Sequence, residues 1–209
     1  MVGRIIETEA DVAEGAAHLA AVEPRFAAAL AVTGPPPLRR RADGFATLFS
    51  AIVSQQVSTA AASAIWGRLE AIGATAPAGL LAAGDAALRT AGLSRQKIAC
   101  GRAIAEGGLD FAALRAMPDA EVVAALTRLP GVGVWTAEVY AMVSLGRADV
   151  FAPGDLALQE AAMRLFELPA RPRERELREM AEAWSPWRAV AARLLWAYYR
   201  VGTGREGVR

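Results

Sequence analysis

The chain has 209 residues, 54% of them hydrophobic and 22% charged, and carries a net charge of +1 at neutral pH. That is long and apolar enough to bury a real core and too apolar for a disordered chain. The charge balance argues against a broad cationic surface while leaving room for a small focused one.

No apolar run approaches the roughly 18 residues a membrane span needs. The first residues, MVGRIIETEADV, place acids where a signal peptide would have its apolar stretch. One cysteine, Cys100, excludes an internal disulfide and an all-cysteine metal or iron–sulfur cluster. The expected compartment is the cytoplasm.

Alanine, leucine, glutamate and arginine dominate, all good helix formers, and Gly and Pro punctuate segments of helical length. Thr8, Glu9, Ala10 and Asp11 read as a weak capping box that opens a helix through about 18. A second helix is expected over about 24–32, followed by the stiff linker Gly34-Pro35-Pro36-Pro37. The next covers about 44–58, with Phe45, Leu48, Phe49, Ile52 and Val53 at helical spacing. Further helices are predicted over 61–72, 77–82, 85–91, 95–106, 119–128, 134–145, 156–166, 174–184 and 186–201. No alternation of period two is long enough for a strand, so the fold class is all-α.

On the last helix Trp187, Val190, Ala191, Leu194, Leu195 and Tyr198 form an ordinary core stripe, and Trp196 falls on its flank. Arg39, Arg40, Arg41, Arg193, Arg200, Arg205 and Arg209 are candidate phosphate contacts, although a solvated surface arginine is the commoner outcome for any one of them. His18, the single histidine, has no partner histidines or cysteines and reads as packing or surface.

The stretch TRLPGVGVWTAEVYAMVSLGRADVFAPGD, residues 127–155, is the most informative. Gly131 and Gly133 can adopt positive φ, and Pro130 stiffens the entry. Such a turn can aim backbone N–H groups at an anion, helped by the dipole of the helix that follows. Phosphate needs no base contact, so this grip would be independent of sequence. Taken alone the signal is weak, because many helical proteins join two helices with a Pro-Gly turn. Asp155 precedes the apolar-periodic LALQEAAMRLF and reads either as its N-cap or as a catalytic carboxylate. Gln56, eleven residues after Phe45, falls on the same helical stripe and would sit at a core edge or face a cleft.

LPGVGVWTA resembles the helix-hairpin-helix of the base-excision DNA glycosylases that pair this hairpin with a Gly/Pro-rich loop and an aspartate. DVFAPGDLALQ at 149–159 is similar to that second element. IVSQQVSTAAA at 52–62, GLSRQK at 92–97 and WSPWRAVAARLLW at 184–196 extend the match over roughly 10–200. Order and spacing resemble the DNA-3-methyladenine glycosylase II branch, in a short form without an N-terminal α/β domain.

The resemblance implies two helical subdomains flanking a DNA cleft: 1–43 packing with 141–209, which carries the aspartate, and 44–140 holding the hairpin. It makes Asp155 catalytic and places Trp196, Trp135 and Tyr140 around the base, although Val139 stands where the best-known member has its pocket tyrosine. Gln56 becomes the wedge, with Gln55 beside it, and the backbone at Gly131, Val132, Gly133 and Thr136 holds DNA. The carbonyls of Thr127, Leu129 and Val132 would bind a monovalent cation, Na⁺ or K⁺, with no organic cofactor and no iron–sulfur cluster. Trp135 occupies the position where bifunctional relatives keep a Schiff-base lysine, which implies hydrolysis without strand cleavage.

The implied protein is a monomeric, nucleoid-associated alkylpurine glycosylase that flips damaged bases out of double-stranded DNA, with no membrane partner. The alternatives are a glycosylase for uracil, hypoxanthine or an oxidised purine, or a noncatalytic hairpin DNA-binding protein.

Overall fold

Capping residues and glycine breaks set the element order in the computed structural model, which describes residues 2–203. Every regular element among them is helical, and one isolated antiparallel bridge joins Ile5 to Arg147. The chain divides into two compact units. One comprises Met1–Arg40 and Ala141–Arg209, and the other is Arg41–Tyr140.

In the first unit, α1 (Glu9–Val22) opens on Thr8, whose hydroxyl accepts from Asp11 N–H while the Asp11 carboxylate accepts from Thr8 N–H. This is the reciprocal box read from the sequence. Next, α2 (Pro24–Thr33) starts on a proline, whose missing N–H costs nothing in a first turn. The unit is completed by α11 (Leu156–Leu165), α12 (Glu174–Ala181), a 3₁₀ turn (Glu182–Trp184) and α13 (Arg188–Thr203). Helix α13 packs against α1, α2 and α11 and is buried on every side from Ala189 to Ala197. Phe26 stands edge-on to Phe166 at 5.7 Å and to Trp184 at 5.3 Å, and Phe151 meets the same indole at 5.4 Å. Gly15 lets α1 approach closely, since a Cβ there would lie 2.7 Å from the Trp187 ring.

The second unit holds α3 (Phe45–Ser54), α4 (Thr59–Ala71), α5 (Pro77–Ala82), α6 (Asp85–Thr90), α7 (Arg95–Glu106), α8 (Phe111–Ala116) and α9 (Asp119–Thr127). It also takes α10 (Val134–Val143) as far as Tyr140. Helices α3, α5 and α6 pack on α7. The apolar stripe read from the sequence, Phe45 through Val53, is buried as expected.

The structure corrects three readings. The helix expected over 44–58 ends at Ser54. Gln55 is extended, Gln56 adopts φ 58, and Ser58 caps α4 by accepting from Ala61 N–H. The helical phase argument for Gln56 therefore fails, because the residue lies in a turn. Helix α8 was not expected, yet Asp110 caps it by accepting from the N–H groups of Ala112 and Ala113, both at 2.9 Å. Arg193 is not a surface cation. It is fully buried, and its guanidinium donates to the carbonyls of Leu38 (2.9 Å), Ala189 (2.8 Å) and Met142 (3.1 Å). Burial, with Arg40 and Arg39 adding repulsion, pulls its pKa down to about 10. Arg41 and Arg200 are exposed, and Arg205 and Arg209 lie outside the described residues.

Candidate active site

The segment carrying Asp155 is braced at both ends. At its start, Arg188 on α13 donates twice to the Asp149 carboxylate, at 2.8 and 2.9 Å, and the Ser185 hydroxyl donates to the same group at 2.8 Å. At its end, Asp155 N–H donates to the Ala152 carbonyl at 3.0 Å, closing a tight turn. Asp155 is the N-cap of α11. Its Oδ1 accepts from Ala157 N–H at 2.9 Å and from Leu158 N–H at 3.0 Å, and only 5% of the residue is exposed.

The two readings of Asp155 are thus compatible. The cap fixes the carboxylate's direction through one oxygen, and the helix dipole favours negative charge there. Leu156, the next residue, is 62% exposed and shows that this helix end meets solvent.

Gln159 escaped the sequence reading. It is buried, and its Nε2 donates to the Pro153 carbonyl at 2.8 Å while its N–H donates to the Asp155 carbonyl at 3.0 Å. One residue, a helical turn past the carboxylate, thereby holds two carbonyls of the loop. A glutamine on the inner face of a helix, just after a Gly/Pro-rich loop, was the available signal.

Trp196 is 0% exposed, and the Arg39 guanidinium lies over its ring at 5.4 Å. Its Nε1–H has no hydrogen-bond partner among the described residues.

In the second unit, the turn between α9 and α10 needs one left-handed glycine. Gly131 has φ 79, whereas Gly133 stays outside that region. A Cβ on Gly131 would lie 2.5 Å from Cys100 Sγ, so both conformation and space demand glycine. Nothing stands within 4 Å of a Cβ placed on Gly133, which leaves that backbone open to a large ligand. Val132 is not an outward donor. Its side chain is buried and its N–H donates back to the Leu129 carbonyl at 3.1 Å. Thr136 is buried in the first turn of α10, while Val134 and Trp135 are exposed, the latter by 37%. Trp135 is therefore no core residue.

Tyr140 is buried. Its hydroxyl accepts from Gly44 N–H at 2.7 Å and its ring lies 6.4 Å from Phe111. Burial pushes its pKa up to about 12. These contacts make Tyr140 a packing residue of its own unit. The Thr127 hydroxyl donates back into α9, to the carbonyls of Val123 and Ala124. His18 is half-buried on α1.

Gln55 and Gln56 sit between α3 and α4, where the Gln55 carboxamide donates to the Gly131 carbonyl at 3.2 Å. The turn holding Gln55 and Gln56 is thus joined to the hairpin by a direct bond. No cluster of three or more His, Cys, Asp or Glu residues poised for a metal occurs among the described residues, and no helix among them is long and apolar enough to cross a membrane.

Comparison with known proteins bears on this arrangement. A solved structure from Bacillus halodurans, described as a DNA-3-methyladenine glycosidase, is 34% identical, with a TM-score of 0.79 over 98% of this chain and 94% of that one. A curated Mycobacterium tuberculosis protein, described as a probable bifunctional transcriptional activator/DNA repair enzyme AlkA, is 36% identical over 190 residues, 79% of this chain and 36% of its own length. The chain spans about a third of the length of the curated bacterial relatives it matches at 35–36% identity. The Schizosaccharomyces pombe 3-methyladenine DNA glycosylase Mag1, solved with abasic DNA, shares the fold at a TM-score of 0.76 and 24% identity, over 90% of this chain and 95% of that one. Residues 49–187 match the model of the HhH-GPD superfamily base excision DNA repair proteins, and the chain belongs to that superfamily.

Proposed function

We propose that this chain is a monofunctional DNA glycosylase that hydrolyses the N-glycosidic bond of alkylated purines such as 3-methyladenine and 7-methylguanine. The observation that carries the reading is Asp155, a nearly buried carboxylate fixed as a helix cap inside the segment that matches the repair family. The likeness to the Bacillus halodurans glycosidase, over almost the full length of both chains, supports the substrate class.

The chemistry follows from charge. Alkylation makes the purine a cationic leaving group. As the C1′–N bond breaks, its electron pair goes to the base and positive charge develops on the sugar. A fixed carboxylate stabilises that charge better than mobile water does. Water then adds at C1′ and gives up a proton. Trp135 in place of a lysine leaves no amine at that position to form a Schiff base, so the abasic strand stays intact.

The base is extruded before cleavage, with Gln56 filling the gap and Gln55 steadying the turn. Backbone at Gly131, Gly133 and Thr136, at the N-terminus of α10, holds the phosphates of double-stranded DNA. Val132 N–H takes no part, since the turn uses it. A monovalent cation, Na⁺ or K⁺, would be held by the carbonyls of Thr127, Leu129 and Val132; the Leu129 oxygen keeps a second lone pair after accepting from Val132. Trp135, exposed on α10, supplies aromatic surface for an electron-poor base. The protein acts as a monomer on nucleoid DNA in the cytoplasm, with no organic cofactor.

The test is a panel of duplexes containing 3-methyladenine, 7-methylguanine, hypoxanthine or uracil, with free base and strand scission both measured. Release of methylated purines without scission is the expected result. A borohydride-trapped protein–DNA adduct contradicts the hydrolytic mechanism, and release of uracil alone contradicts the substrate.

A further inference from the structure

Lys97 is the third residue of α7, three residues after the Ser94 cap whose hydroxyl accepts from Lys97 N–H at 3.2 Å. A cation there opposes the helix dipole. Its side chain instead leaves α7 and reaches α3. The ammonium donates to the carbonyls of Val53 and Gln55, both at 2.8 Å. These are orphan acceptors at the C-terminal end of α3, where partial negative charge gathers. Partial burial lowers the Lys97 pKa.

The second of these carbonyls immediately precedes Gln56, whose φ of 58 is strained for a residue with a side chain. Such a conformation persists only where its surroundings fix it. Two contacts converge on the neighbouring residue: Lys97 holds the Gln55 carbonyl, and the Gln55 carboxamide donates to the Gly131 carbonyl at 3.2 Å. Beneath Gly131 lies Cys100, one helical turn after Lys97 on α7.

We propose that Lys97 is the positioning residue for the wedge: its ammonium locks the turn that aims Gln56, and the Gln55–Gly131 bond sets that turn in register with the DNA-gripping hairpin. The inference rests on the wedge reading of Gln56 above. Insertion at the orphaned base and grip on the backbone are then one rigid feature of α3, α7 and the hairpin, and a wedge freed of Lys97 loses its aim while the grip persists.

The experiment uses a duplex carrying a tetrahydrofuran abasic analogue, with 2-aminopurine as the unpaired base opposite it. The fluorescence change at saturating protein reports wedge contact with that base, and the Kd and its salt slope report the phosphate grip. Gln56→Ala abolishes the fluorescence change if the wedge reading holds. Lys97→Met reduces it to under a third of the wild-type change while Kd and salt slope stay within threefold. Gln55→Met, which cuts the tie to Gly131 and leaves the Lys97 acceptors in place, reduces the change by at least half, and Lys97→Gln, too short to hold both carbonyls, serves if Lys97→Met fails to fold. A wild-type signal in Lys97→Met, or in Lys97→Gln where that variant stands in, alongside its loss in Gln56→Ala overturns the role of Lys97, and a wild-type signal in Gln55→Met overturns the tie to the hairpin. Equal loss of signal and affinity overturns it too, as plain structural damage. A wild-type signal in Gln56→Ala overturns the wedge reading itself.

Discussion

Replacing Gly131 with alanine measures how tightly the hairpin is built. The added Cβ meets two separate obstacles. The residue sits at φ 79, where an alanine pays about 1–2 kcal/mol. The Cβ also lies 2.5 Å from Cys100 Sγ and 3.1 Å from Cys100 Cβ, and forcing a methyl into a packed site costs about 1–3 kcal/mol. Gly131→Ala is therefore expected to destabilise the protein by roughly 2–5 kcal/mol, a drop in Tm of roughly 5–15 °C for a chain of this size. Circular dichroism melting reads it. The two costs separate in a double-mutant cycle, because Cys100→Ala removes the steric obstacle and leaves the dihedral one. The double variant is then less destabilised than the sum of the single variants. A Gly131→Ala protein within about 0.5 kcal/mol of wild type, or strictly additive single variants, refutes the packing of hairpin on α7 described above.

Asp155→Ala removes an N-cap with two accepted bonds and lowers stability by about 1 kcal/mol, whereas Asp155→Asn keeps the acceptor and stays within a few tenths in the same melts. Gln159→Met leaves the Pro153 carbonyl buried without its donor, which costs about 1–3 kcal/mol by urea denaturation, and it slows base release by loosening the loop before Asp155. Tyr140 gives an alkaline signature. Its folded pKa of about 12 exceeds the ordinary value of 10.0, so the neutral phenol stabilises the fold below pH 10 and that contribution fades as pH rises towards 12. Across this window wild type loses about 1.4 kcal/mol per pH unit relative to Tyr140→Phe; parallel unfolding profiles for the two proteins count against it.

Periodicity and capping chemistry made most of the fold legible. The Thr8 box, the proline at the start of α2 and the buried Phe45–Val53 stripe are local devices whose physics is complete within a few residues. What escaped depends on distant partners. The end of α3 lies inside a run of helix-compatible residues, and what breaks it is Lys97 and Gly131 holding Gln55 from 42 and 76 residues away. Arg193 reads as a surface cation until the carbonyls of Leu38 and Met142 arrive to satisfy it. No spacing in the sequence shows that Arg39 covers the Trp196 ring. At the candidate site, Asp155 and Gly131 were legible because each occupies a turn with demanding backbone chemistry. Gln159 was not, because its role is a side-chain bond to a loop carbonyl that no spacing rule encodes.

The central claim is that the Asp155 carboxylate stabilises positive charge on the sugar as an alkylated purine departs. Single-turnover release of 7-methylguanine from a methylated duplex, compared between wild type and Asp155→Asn at saturating protein, tests it most directly. The account predicts free base from wild type and a rate lower by about 10²–10³ in the variant, with both proteins melting at the same temperature. A variant that retains more than a tenth of the wild-type rate, or a wild type that releases no methylated base, contradicts it.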